Sequence, residues 1–306
     1  MEKGYQEFIN EVVNALEKEF GNQYNIKVNQ IAKNNGLIRH GLCIIEQNVV
    51  VTPTIYMEEY YAMYKNGIQM SEIVRRICDY NELAKDIKIE EFDVRRFGDL
   101  DAVKDRIVYK LVNTAMNQDM LQDHPHIEIM DLSMVFQVIV SNQESGQMTI
   151  SVRNVHMQTW GLEVEQLKEL AKINTRRMFP EDIIRMADLL NSLSKELVGE
   201  EMLESVRCKE EEMFHVLTNK KKVQGAAVLL YDGLLKEIAE QADGNLVILP
   251  SSVHECILLR ETAETDYQQL KAMVQEVNAE MVVREEVLSG RVYRYDKEKD
   301  ALEIVA

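Results

Sequence analysis

His124 and His126 stand two residues apart, with Glu128 two further on, and in an extended segment alternate side chains fall on one face. Two imidazoles and a carboxylate on one face form a donor set that a divalent metal uses. A metal held there activates water for hydrolysis. His156, at the end of a returning strand, is a candidate further ligand. The plainer reading makes His124-Pro-His126 a polar loop between a helix and a strand. A second concentration of chemistry lies at Ser251, Ser252, His254 and Glu255, which supply hydroxyl, imidazole and carboxylate in one short segment. As nucleophile and base they fail on geometry. Ser252 and His254 on one strand point in parallel, whereas a base must approach the nucleophile's oxygen, usually from another element. The segment reads better as a turn after Pro250 whose serines bond backbone groups, with Ser251, Ser252 and His254 as candidate binding residues.

Tyr56, Tyr60, Tyr61 and Tyr64 gather at a strand-to-helix junction. Tyrosine offers a broad rigid contact surface with a polar tip, so Tyr56 and Tyr60 are candidate ligand contacts. The four-residue spacing of Tyr60 and Tyr64 equally serves to clamp a helix onto a sheet. No GxxxxGK[ST] or GxGxxG run occurs, and His254-Glu255 lacks the second histidine of a zincin helix. The common nucleotide chemistries are therefore without support, and no cofactor is specified.

The 306 residues carry 52 acidic and 35 basic side chains, a formal charge of −17. Such a surface repels phosphate backbones and anionic membranes, which disfavours direct nucleic-acid binding. The strongest basic run, Lys220-Lys221-Lys222, follows an acidic block at 210–212 and reads as a solvated turn. Cys43, Cys78, Cys208 and Cys256 show no metal-ligand spacing and read as reduced thiols. The first residues are acidic and amphipathic, unlike a secretion signal. No stretch approaches the roughly 20 apolar residues a membrane helix needs. The expectation is a cytoplasmic protein whose partner is a protein or small ligand, with oligomeric state open. A noncatalytic binding or interaction module leads, and a metal-dependent hydrolase using the histidine and carboxylate cluster is the alternative. A third possibility is an acidic fold that imitates a nucleic-acid backbone.

These residues must be positioned by a mixed architecture. Helical spacing predicts helices over 3–20, 58–65, 71–83, 99–117, 163–178 and 180–197, and alternation predicts a β-meander over 24–56. Residues 127–155 read as a hairpin. The last third reads as strands at 213–217, 226–231, 246–249, 253–259, 291–295 and 302–305, with helices at 234–241 and 267–279. Sparse glycine (13) and proline (4) argue against an all-β chain. The predicted class is α+β, with antiparallel or mixed sheets, helices packed on their faces, and two to three subdomains. Their expected bounds are 1–122, 123–205 and 206–306, with the acidic stretch 199–212 as the best candidate boundary.

Several segments resemble a known family. Asn35-Gly36, the run from Val51 to Tyr56 followed by Tyr60 and Tyr61, the run from Leu249 to Glu255, and the run from Arg291 to Asp296 are similar to the bacterial family catalogued as domain of unknown function 5688. The resemblance extends over most of the chain. It implies a soluble bacterial protein of Firmicute type and carries no activity, cofactor or catalytic residue.

Overall fold

The computed structural model describes residues 4–46, 52–85, 92–143, 146–186, 188 and 214–306. The chain forms two compact units, Met1–Val94 and Arg95–Ala306.

Among the described residues, the first unit is a three-stranded antiparallel sheet with three α-helices. Helix α1 (Tyr5–Phe20) leads into β1 (Tyr24–Ala32), β2 (Ile38–Glu46) and β3 (Ile55–Tyr56), and α2 (Met57–Lys65) and α3 (Met70–Lys85) follow. The sheet order is β1-β2-β3. The turn between β1 and β2 places Asn35 at φ 60°, a conformation asparagine tolerates better than most residues. Phe8, Val12 and Leu16 recur at helical spacing on α1 and are wholly buried against Leu42 and Ile44 of β2 and Ile73 and Ile77 of α3. Each such side chain contributes roughly 1.5–3 kcal/mol relative to exposure. Along β1 the alternation is visible in burial, with Tyr24, Ile26 and Val28 turned to the core and Asn25, Lys27 and Asn29 exposed.

Among the described residues, the second unit holds two further antiparallel sheets. In the first, β6 (Leu132–Gln143) pairs with β4 (Ile107–Asn113) on one side, and on the other with β5 (His126–Ile129) and β7 (Gly146–Ser151). Short helices α4 (Leu100–Val103) and α5 (Gln118–Leu121) flank β4, while α6 (Asn154–Trp160) and α7 (Val164–Met178) follow β7. The six-stranded sheet has the order β13-β12-β10-β11-β9-β8. Its strands are β8 (Glu181–Arg185), β9 (His215–Asn219), β10 (Leu246–Leu249), β11 (Cys256–Arg260), β12 (Tyr293–Asp296) and β13 (Ala301–Ile304). Helices α8 (Leu234–Gln241) and α9 (Tyr267–Glu280) also belong to the unit. Val274 and Leu270 of α9 pack on Val247, Leu249 and Val292. Asp131, in the β5–β6 turn, accepts hydrogen bonds from the Ser289 and Tyr293 hydroxyls. Tyr109 of β4 donates to the carbonyl of Ala227 at 2.9 Å. These bonds tie the two sheets together.

The α+β class is as expected, and every described strand pair is antiparallel. Several local expectations are corrected, among them residues 154–155, read as strand and found in α6. Residues 107–113, read as part of a helix over 99–117, form the central strand β4. It is buried along nearly its whole length, and a strand covered on both faces shows no alternation to distinguish it from a helix. Residues 181–185, read as the start of a helix, form β8, because they pair with β9 from Glu181↔Asn219 to Arg185↔His215. Residues 226–230, part of the strand expected over 226–231, lie in a buried 3-10 turn that spans Gly225–Leu230. Gly225 starts it, since a Cβ there would lie 2.1 Å from Thr218 Oγ1 and 2.3 Å from the carbonyl oxygen of His254.

The two units divide at Val94 and Arg95. β4 pairs with β6 across 122–123, and β8 with β9 across 205–206. Residues 199–212, the expected boundary, lie outside the described residues, as do 49–51 of the meander and Cys208. No described helix is long and apolar enough to cross a membrane.

Candidate functional site

In the second unit, a groove of about 740 Å³ receives His124 and His126 together. Its remaining walls include Gln122, Asn154, Gln158 and Glu163, over Leu121, Pro125, Met157 and Leu162. The walls are held by short-range bonds. Asn154 donates its backbone N–H to the Asp123 carbonyl at 2.9 Å and its side-chain amide to Gln122 at 3.0 Å, fixing the start of α6 beside the histidine segment. Gly161 ends α6 in the left-handed region at φ 66°, where glycine pays no Cβ penalty. The chain then turns into α7 within the groove wall.

The two imidazoles are held alike. Nδ1 of His124 lies 2.8 Å from the carbonyl oxygen of Met120, and Nδ1 of His126 lies 2.9 Å from that of His124. A carbonyl only accepts, so each Nδ1 carries the hydrogen, and Nε2 of the neutral ring is left as an acceptor. Neither Nε2 has a hydrogen-bond partner among the described residues. Both histidines line the groove, and each keeps an acceptor of the same kind.

The wider metal set does not assemble. Glu128 sits on the same side of β5 as His126 but pairs across to Ser133 and is exposed, outside the groove. His156 lies in α6 and not at the end of the returning strand; it accepts the Arg153 backbone N–H at 3.0 Å and packs its ring against Phe97 and Trp160. Burial and the Arg153 charge lower its pKa, against an opposing pull from Asp123. Among the described residues no three histidine, cysteine or acidic side chains are placed to hold a metal ion.

The 250–254 segment is a stitched turn. Ser252 bridges to Val287, and its hydroxyl accepts the His254 N–H at 3.0 Å. Ser251 and Pro250 carbonyls accept from Leu288 and Ser289, both at 2.9 Å. His254 Nδ1 accepts the Gln224 N–H at 3.3 Å, while Nε2 lies 3.5 Å from a Glu286 carboxylate oxygen. A ring whose Nδ1 accepts carries its hydrogen on Nε2, so no lone pair remains to serve Ser251 or Ser252 as a base. These residues shape backbone.

In the first unit, Tyr60, Tyr61 and Tyr64 pack against the core, and the Tyr61 and Tyr64 rings lie against Phe8 at 5.3 Å. Tyr56 carries the Lys33 ammonium 4.3 Å above its ring centroid, a cation–π contact that leaves its face occupied. Beside them is a cluster that sequence reasoning missed. Glu58 Oε1 accepts from the Tyr5 hydroxyl at 2.9 Å, from the His40 backbone N–H at 2.7 Å and from His40 Nδ1 at 3.1 Å. Burial pushes the Glu58 carboxyl up. The donors from the His40 and Glu58 backbones and from the Tyr5 and His40 side chains outweigh it and hold the group below its ordinary value. His40 lines a separate cavity of about 560 Å³ with residues of α1 and β1. The cluster joins positions 5, 40 and 58, and no local spacing in the sequence announces it.

A model described as a family of unknown function (DUF5688) matches residues 5–297. Comparison with curated proteins and with solved structures gives no match.

Proposed function

This chain belongs to the DUF5688 family, and we propose that it works as a noncatalytic binding module, taking a small polar ligand into the groove of His124 and His126. The observation that carries this reading is the pair of imidazoles whose Nδ1–H groups are spent on backbone carbonyls, presenting two Nε2 acceptors to one groove of ligand-sized volume. The ligand it suits is uncharged or cationic and brings N–H or O–H donors to the two rings. Apolar Leu121, Pro125, Met157 and Leu162 supply contact area. A cytoplasmic setting belongs to the same reading, since Cys43, Cys78 and Cys256 are free thiols, as reducing compartments keep them.

A fragment screen followed by long-range imidazole ¹H–¹⁵N spectra tests it. Binding fragments are expected to move the Nε2 resonances of His124 and His126. His124→Ala and His126→Ala are each expected to weaken binding about three- to tenfold, the net worth of one hydrogen bond. Trp160, the single tryptophan, follows Gln158 and precedes Gly161 of the groove wall and gives a fluorescence readout. The reading is rejected if fragments bind elsewhere or not at all, or if a hydrolase panel finds turnover that both substitutions abolish.

A further inference from the structure

One face of α7 is spent on the core, and the next lines a cavity. Leu167, Ala171, Asn174 and Thr175 are buried. At the same helical spacing, Glu169, Lys172, Ile173, Arg176 and Arg177 line a cavity of about 370 Å³ in the second unit. It shares no lining residue with the groove of His124 and His126. Tyr109 and Tyr231 also line it, and their hydroxyls already donate to the carbonyls of Ala227 and Phe179, at 2.9 and 2.7 Å. What the two rings offer an occupant is therefore apolar surface.

The charges around this cavity are unevenly matched. Lys172 Nζ pairs with Asp232 at 2.6 Å, and Arg176 pairs with Glu181 at 3.0 Å while donating to the Asp232 carbonyl. Arg177 is different. Its Nη2 donates to two neutral oxygens, the Asp105 carbonyl at 2.6 Å and Asn174 Oδ1 at 3.0 Å, and it has no carboxylate partner among the described residues. Those two bonds fix the guanidinium and leave its Nε and Nη1 hydrogens unused, so a positive group is held in place with its charge unmet. The lining carries three cations against two carboxylates, where the whole chain has 35 basic against 52 acidic residues. The local balance is the reverse of the chain's.

We propose that this cavity is a second binding site and takes a small organic anion, whose carboxylate or phosphate group meets Arg177 and Lys172 while a compact apolar body covers Ile173 and Leu230. A fixed guanidinium with unused N–H donors suits an oxyanion. Lys172 can join it, because its partner Asp232 is 77% exposed and an exposed ion pair is worth little against a better placed anion. Ile173 is apolar yet 67% exposed on the same face of α7, which gives the ligand's body a surface to cover. Size and charge together select a small molecule. The volume falls within the roughly 300–1,000 Å³ of small-ligand sites, and a chain of net charge −17 repels a long polyanion outside the cavity. Glu169 precedes Arg177 by eight residues, about 12 Å along the helix, so it stands away from the anionic group and disfavours a second one.

Titration calorimetry of the full chain with phenyl phosphate, benzoate and benzyl alcohol tests this. The three share a ring and differ in charge. At least one anion is expected to bind about tenfold or more tightly than the alcohol, since charge-assisted bonds are about twice as strong as neutral ones, and the tighter anion identifies the oxyanion. Arg177→Gln is expected to weaken that anion about tenfold, and Lys172→Gln about three- to tenfold. Glu169 is exposed and has no hydrogen bond or ion pair among the described residues, so Glu169→Gln leaves the fold intact. It is expected to tighten binding about twofold, by removing a like charge at the far end of the cavity. His124→Ala is expected to change nothing, which separates this site from the histidine groove, so that either can fail while the other stands. The proposal is overturned if neither anion binds, if the alcohol binds as tightly, if Arg177→Gln and Glu169→Gln both leave the affinity unchanged, or if His124→Ala removes anion binding.

Discussion

At the scale of single residues, the histidines illustrate how one side chain type takes opposite roles through its neighbours. His124 and His126 donate from Nδ1 to carbonyls, whereas His156 and His254 accept at Nδ1 from backbone N–H groups. Of these four, the first pair alone keeps an acceptor for a visitor. None of this is visible in sequence, because the partner that settles a tautomer is a backbone group whose position depends on the local fold. Glu58 makes a testable case. Its carboxyl is held below the ordinary value, so its bonds stabilise the folded unit above that value and are lost as pH falls through the folded pKa. Glu58→Gln is expected to lower the urea midpoint at neutral pH and to flatten its decline on the acid side of the ordinary carboxylate value, measured by circular dichroism. An unchanged acid limb would remove Glu58 as a source of that decline.

At the scale of elements, the outcome depended on how each segment is covered. Helix α1 was legible because one face is buried and the other is wet, and α7, α8 and α9 follow their sequence periods for the same reason. β4 was not, since both its faces are buried. β8 was not, since a strand at a sheet edge is defined by its pairing with β9, some thirty residues away. The 3-10 turn at Gly225–Leu230 shows the cost of crowding. Gly225→Ala brings a Cβ against the His254 carbonyl at 2.3 Å and the Asn219 nitrogen at 2.9 Å. Backbone at two places must move, so a loss of about 1–3 kcal/mol is expected in denaturant unfolding. The turn that carries Ser251, Ser252 and His254 should loosen with it, because Gly225 packs on the His254 carbonyl.

At the scale of the whole molecule, each unit has its own buried core. Unfolding is therefore expected to resolve into two transitions. Phe8→Ala removes a wholly buried ring from the first core and should lower one transition by about 3–5 kcal/mol. Tyr293→Phe removes the hydroxyl that bonds Asp131 and should lower the other by about 1–3 kcal/mol. Differential scanning calorimetry with the two variants separates the assignments. A single transition shifted equally by both would show that the units unfold as one.

The amino-acid order by itself determined the α+β class, most of the amphipathic helices, the anionic character of the chain and its family. All of these follow from short-range periodicity, composition or motif, which a linear string preserves. Which histidines meet and which nitrogen each leaves open were decided only by the tertiary structure. Those facts depend on distances between residues such as Tyr5, His40 and Glu58, and chain separation carries no record of distance once the backbone has turned back on itself.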